Sequence, residues 1–145
     1  MKNVFQILGM VAIFLALLAP QNSYGQVKVG ASHKGGIVVF VDGTGQHGLV
    51  CSKKDLGIFV WDDAVAKCKA YEGGGYTDWY LPSNFEFFLL FTNLYRKGLG
   101  GFDNGDYWSS SEFDDYTASV QGFGSGRMNY IAKGINGHVR AVRAF

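Results

Sequence analysis

Twenty-one glycines against two prolines, set mostly between short apolar runs, constrain this 145-residue chain more than any other feature. Glycine supplies the positive-φ positions that tight turns need, so this spacing predicts many short strands joined by turns. The stretch GGIVVFVDGTGQHGLVCS is the clearest case: residues 37–41 and 49–52 flank a glycine-rich turn and predict a β-hairpin. The turn itself, Gly43-Thr44-Gly45-Gln46-His47-Gly48, satisfies G-x-G-x-x-G after a strand. A dinucleotide site would need the third glycine to open a helix facing the pyrophosphate, whereas the next residues, Leu49-Val50-Cys51-Ser52, are strand-like. No nucleotide is expected there.

Two segments break the strand pattern. In WDDAVAKCKAY, residues 61–71, Trp61, Ala64, Val65, Cys68 and Tyr71 recur at spacings of three and four, with acids early and lysines late, which predicts an amphipathic helix. Glycines 73–75 stop it. After Pro82, Ser83 and Glu86 form a capping-box signature for a second helix, so Ser83 reads as a cap and not as a nucleophile. The apolar residues Phe87, Phe88, Leu90, Phe91, Leu94 and Tyr95 spread around more than one face and predict a helix covered on several sides. Trp79, Tyr80 and Leu81 are expected in the core or its lid.

From Lys97 the chain turns polar and glycine-rich around the strand-like YWSSS. Further strands are predicted at residues 117–123 and 127–133, joined by a GSG turn. The closing HVRAVRAF carries apolar residues on both parities and predicts one central, covered strand, in which Arg140 and Arg143 require carboxylate or carbonyl partners. Helices and strands in separate runs give the α+β class.

Residues 1–25 read as a secretory signal: Lys2, an apolar run over residues 4–18, and small residues at Ser23 and Gly25. An uncleaved anchor is the alternative, and no Leu-x-x-Cys lipobox follows the run. Cleavage would leave one domain, residues 26–145, with no stable membrane span, acting as a secreted, periplasmic or cell-surface protein. Without Lys2 that part is near neutral, which argues against a nucleic-acid partner. In an oxidising compartment Cys51 and Cys68 are expected to pair, a bridge worth ~3 kcal/mol, the alternative being two buried thiols.

Acids at Asp103, Asp106, Glu112, Asp114 and Asp115 offer oxygens of the kind calcium prefers, but they lack EF-hand spacing, and solvated turns are the simpler reading. No metal or other cofactor is expected, calcium being the alternative. Ser109 to Ser111 with His33, His47 or His138 would supply the parts of a hydrolase, yet no nucleophile elbow surrounds the serines, and the histidines form no zinc pattern. A non-catalytic role is expected. The candidate ligand residues are the polar and aromatic side chains of the late loops: Asp103, Asn104, Asp106, Glu112, Asp115, Tyr116, Arg127, Asn129 and Tyr130. Aromatic faces stack on sugars, carboxamides and acids take hydroxyls, and arginine holds sulfate or carboxylate.

A helix opening on Trp and holding a Cys, then GGYTDWYLPSNFE, YWSSSE and VRAVRAF, resembles in its order the bacterial domains grouped as Lcl C-terminal-like and their relatives of the Fibrobacter succinogenes major paralogous type. The likeness covers about residues 35–145. It implies a C-type-lectin-like fold, with two helices on antiparallel sheets and a long loop region presenting the ligand surface. It also implies an exported or surface-associated module whose partner is a glycan or a surface protein, one branch recognising sulfated glycans. Ala141 stands where many lectin-like domains place a cysteine, and the Glu-Pro-Asn-like and Trp-Asn-Asp signatures of calcium-dependent lectins are absent. The alternative role is an assembly subunit docking onto another envelope protein.

Overall fold

Residues 27–145, those described by a computed structural model, form nine strands and two α-helices. The expected signal segment lies outside the described residues. The first sheet has the order β1 (Ser32–His33), β2 (Gly36–Val41), β3 (Gly48–Cys51) and β9 (Val142–Ala144), all antiparallel. The second sheet runs β4 (Gly57–Phe59), β8 (Gly137–Val139), β5 (Asp106–Glu112), β6 (Thr117–Gly122) and β7 (Met128–Ala132). Its pairs are antiparallel except β5 with β8, which is parallel. The α+β class and the predicted hairpins are therefore present.

Helix α1 (Trp61–Lys69) forms where the spacing of three and four predicts it, burying Ala64 and Cys68. Asp62 and Asp63 in its first turn and Lys67 and Lys69 in its last complement the helix dipole. Helix α2 (Asn84–Asn93) starts on the predicted capping box: the Glu86 amide donates to Ser83 Oγ at 3.4 Å, and the Ser83 amide donates to Glu86 Oε2 at 2.8 Å. Tyr80, lying over this cap, donates its hydroxyl to Glu86 Oε1 at 2.6 Å. After a single further turn, Tyr95–Lys97, the chain leaves through Gly98 at φ 68°, a left-handed conformation that glycine adopts without strain.

Two core clusters result. One joins α1 and Trp79 to Val38, Val50, Trp108, Val120, Val139 and Ala141. The other joins Phe87, Leu90 and Leu94 of α2 to Val39, Leu49, Tyr107, Phe123 and Val142. Within the second, Phe87, Phe91, Tyr95, Phe102, Tyr107 and Phe123 form a connected group of rings with neighbouring centroids 4.6–6.2 Å apart. Such pairs add to the stabilisation from buried area.

Three expectations need correction. The C-terminal segment is not one central strand but two short ones, β8 in the second sheet and β9 in the first. Its apolar residues of opposite parity serve two different cores, Val139 and Ala141 in one and Val142 in the other, and the chain changes sheets at Arg140 and Ala141. Cys51 and Cys68 are free and fully buried, one in each cluster, so the expected bridge is not formed. Burial pushes the thiols up to about 11 and about 12 respectively, so both behave as small apolar side chains. Helix α2 is not covered on several sides, because Phe85 and Phe88 remain 69% and 56% exposed.

The buried arginines find the partners that burial demands. Arg140, with no exposed side-chain surface, donates to Asp55 Oδ1 at 2.6 Å and to the carbonyls of Ser52, Gly100 and Gly101 at 2.9–3.0 Å. Its guanidinium lies 4.0 Å from the centroid of Phe102. Arg143 grips Asp78 with two bonds of 2.6 and 3.0 Å and stacks 3.8 Å over Tyr76.

Candidate ligand-binding surface

The nine residues expected at a ligand surface do not share one site. Strand β6 spans six residues, so its ends lie roughly 17 Å apart at ~3.3 Å per step. Tyr130, on β7 opposite Ser119, brings its ring to Phe113 near the start of β6; Glu112, Asp115 and Tyr116 fall at that start, while Asp103, Asn104, Asp106 and Arg127 fall at the other end. Asn129 sits between them on β7, opposite Val120.

The first group is built on the β5–β6 turn. Asp114 Oδ1 accepts from the amides of Tyr116 and Thr117 at 2.9 and 2.7 Å and from the Thr117 hydroxyl at 2.9 Å. These bonds, the Tyr116 amide first, hold its carboxyl below the usual carboxylate range. The turn is thereby locked, with Phe113, Asp115 and Tyr116 exposed around it. Phe113, Tyr116 and Tyr130 are 70%, 80% and 51% exposed, and the Phe113 and Tyr130 rings lie 5.1 Å apart.

Lys133 supports this rim from behind. Its ammonium pairs with Glu112, donates to the Asp115 carbonyl at 3.0 Å and lies 4.6 Å over the Trp61 ring. Glu112 is thus engaged with Lys133, and the side chains left open at this end are Phe113, Asp115, Tyr116 and Tyr130. Sequence reasoning missed Phe113, Lys133 and Trp61. The available signal was an aromatic flanked by Glu112 and Asp114 in an otherwise polar turn.

At the other end, the Asn104 and Gly105 carbonyls accept from the Gly124 and Phe123 amides at 3.2 and 3.0 Å, tying the loop before β5 to the β6–β7 turn. Asn104 Oδ1 accepts from the Tyr95 hydroxyl at 2.5 Å. Behind this loop stands a partly buried polar chain that the sequence reading did not assemble. The Asp103 amide donates to the Tyr107 hydroxyl at 2.8 Å, and that hydroxyl donates to Asp55 Oδ2 at 2.6 Å. Burial, then the bond to Asp55, pushes the Tyr107 phenol above its ordinary value.

The serines of β5 have structural partners. Ser109 Oγ accepts from the Ser111 amide at 3.0 Å, and Ser111 Oγ from the Asn84 amide at 3.2 Å, which fixes the strand's bulge to the start of α2. The G-x-G-x-x-G segment is the β2–β3 turn, organised by Asp42, whose Oδ1 accepts from the Thr44 hydroxyl at 2.7 Å and the Thr44 amide at 3.1 Å. These contacts, the Thr44 hydroxyl first, lower the Asp42 carboxyl to about 2. Between this hairpin and α2 runs an open groove of about 290 Å³, lined by Phe40, Leu49, Phe85 and Leu89 with Asp42, His47 and Glu86 at its polar edge.

The family model described as the Lcl C-terminal domain matches residues 42–143. No curated protein matches the chain.

Proposed function

We propose that this chain, which belongs to the Lcl C-terminal domain family, acts as a non-catalytic binding module at the envelope or outside the cell, with a glycan as its ligand. The observation that carries this reading is the trio of exposed rings, Phe113 and Tyr116 on a turn locked by Asp114 and Tyr130 on β7 with its ring 5.1 Å from that of Phe113. Exposed aromatics cost free energy in water, and on a rigid turn they offer sugar faces a platform with little conformational entropy left to lose. Asp115 beside them accepts hydroxyl hydrogen bonds. Acids surround this rim, with Asp114, Asp115 and Glu112 on the turn and the Lys133 charge already paired. That charge favours uncharged or amine-bearing sugars over sulfated ones. A non-catalytic role is supported by the structural use of Ser109 and Ser111. An extracytoplasmic place fits the apolar leader, and no helix among the described residues is long and apolar enough to cross a membrane.

The second reading, an assembly subunit docking onto an envelope protein, draws support from the apolar groove beside Phe85. A glycan array separates the two. Saturable binding of a sugar that Tyr116→Ala abolishes supports the lectin-like role. Binding of no sugar, together with a single co-purifying protein whose capture needs Phe85, supports assembly instead.

A further inference from the structure

We propose that Asp55, Asp103 and His138 form a site for a divalent transition-metal ion of the zinc type, at the end of the second sheet remote from the aromatic rim. The three residues are far apart in sequence and meet because β8 runs parallel to β5, with His138 opposite Tyr107. One donor atom from each lies within 4.8 Å of the other two. His138 Nδ1 stands 3.7 Å from Asp55 Oδ2 and 3.7 Å from Asp103 Oδ2. These separations exceed hydrogen-bond length, so neither carboxylate hydrogen-bonds to the imidazole, although both lie within ion-pair distance of it. They are close to the edge of a donor tetrahedron, about 3.4 Å for bonds of about 2.0–2.1 Å, and closing them needs shifts of a few tenths of an ångström.

The surroundings hold the donors as metal ligands are usually held, through outer hydrogen bonds. Arg140 fixes Asp55 through Oδ1, and the Tyr107 hydroxyl fixes it through Oδ2. The same hydroxyl accepts from the Asp103 amide, so a single group sets both carboxylate-bearing segments. The imidazole is confined between the Tyr107 ring, 5.0 Å away, and the backbone at Gly105, where any added Cβ would collide with Cδ2 and Nε2. The Asp103 side chain is 75% exposed, which leaves an open side for water ligands.

An imidazole nitrogen with two carboxylates suits zinc or cobalt. Calcium, which takes six to eight oxygens, fits poorly. Arg140 offsets the charge of Asp55, so the affinity expected is micromolar, below that of a closed four-ligand site. Occupancy would pin the loop over residues 98–105, whose glycines 98, 100 and 101 all have positive φ, to β8 and to the segment after β3.

The test uses protein free of any histidine tag, stripped with chelator. Zinc at a hundredfold excess over its Kd raises Tm by roughly 10 °C, and cobalt(II) develops the visible absorption of a tetrahedral site. Asp103→Asn, at an exposed position, melts like the wild type without metal but loses both the zinc shift and the cobalt absorption. His138→Gln loses them as well. No zinc or cobalt response, a response that survives Asp103→Asn, or stabilisation by calcium alone would each overturn the proposal. None of these results bears on the glycan reading, whose residues lie at the opposite end of the sheet.

Discussion

Truncating Asp55 should cost this protein several times what truncating Asp78 does, although each carboxylate sits 2.6 Å from its arginine. The difference is burial. Asp55 is 18% exposed and faces a guanidinium with no exposed surface, whereas Asp78 is 58% exposed. Removing one member of a buried ion pair strands the other and costs about 3–5 kcal/mol. Arg140 keeps three carbonyl acceptors, which places Asp55→Ala near the lower end, and the Tyr107 hydroxyl loses its acceptor at about 1 kcal/mol more. The expected loss is therefore about 3–4 kcal/mol, a fall in Tm of roughly 12–16 °C for a domain of this size. Asp78→Ala should cost about 1 kcal/mol or less, because water screens the pair and Arg143 keeps its stacking on Tyr76. Urea denaturation of both variants and the wild type, fitted with a common slope, measures the contrast. Equal losses, or a loss below about 1 kcal/mol for Asp55→Ala, would refute the claim that Arg140 is a buried charge dependent on that carboxylate.

Other outcomes rest on the same geometry. Asp78 has its pKa lowered from 3.8, first by the Arg143 hydrogen bonds, so its stabilisation is complete above that value and is lost as pH falls through the depressed one. Asp78→Asn should therefore lower Tm by a small, pH-independent amount at neutral pH and flatten the acid limb of Tm against pH below about pH 4; an acid limb as steep as the wild type's would count against this assignment. Both cysteines should resist thiol reagents in the folded protein and react in full in denaturant, with an intact mass of the reduced chain; a mass two hydrogens lighter would restore the disulfide. Ser83→Ala should lower stability by about 1 kcal/mol through loss of the capping box, read by urea denaturation, and no change would mean the cap is redundant. Tyr116→Ala, at a position 80% exposed, should leave Tm nearly unchanged while removing sugar binding.

What could be read from the sequence was local. Ser83 with Glu86 and the spacing of Trp61, Ala64 and Cys68 act within one or two turns of chain, and the glycine-bounded hairpins act across a few residues, so these elements stand close to where they are expected. The switch of sheets at Arg140 and Ala141 depends on which core receives each side chain, and parity within an eight-residue segment carries no such information. The requirement that Arg140 find a carboxylate was legible; that the carboxylate is Asp55 was not, because the pair closes across 85 positions. The candidate ligand residues were read as one late-loop surface. Sequence order cannot reveal that β6 holds Tyr116 and Arg127 at opposite ends, or that Glu112 is engaged by Lys133.

The central claim is that sugar is bound on the rim of Phe113, Tyr116 and Tyr130. Titrating the best array ligand into isotope-labelled protein, with backbone amide shifts followed residue by residue, tests it most directly. Saturable shifts concentrated at residues 112–117 and at Tyr130, absent in Tyr116→Ala, are the predicted result. Shifts concentrated at residues 98–106 or along the Phe85 groove, or no saturable shift with any sugar, would contradict it.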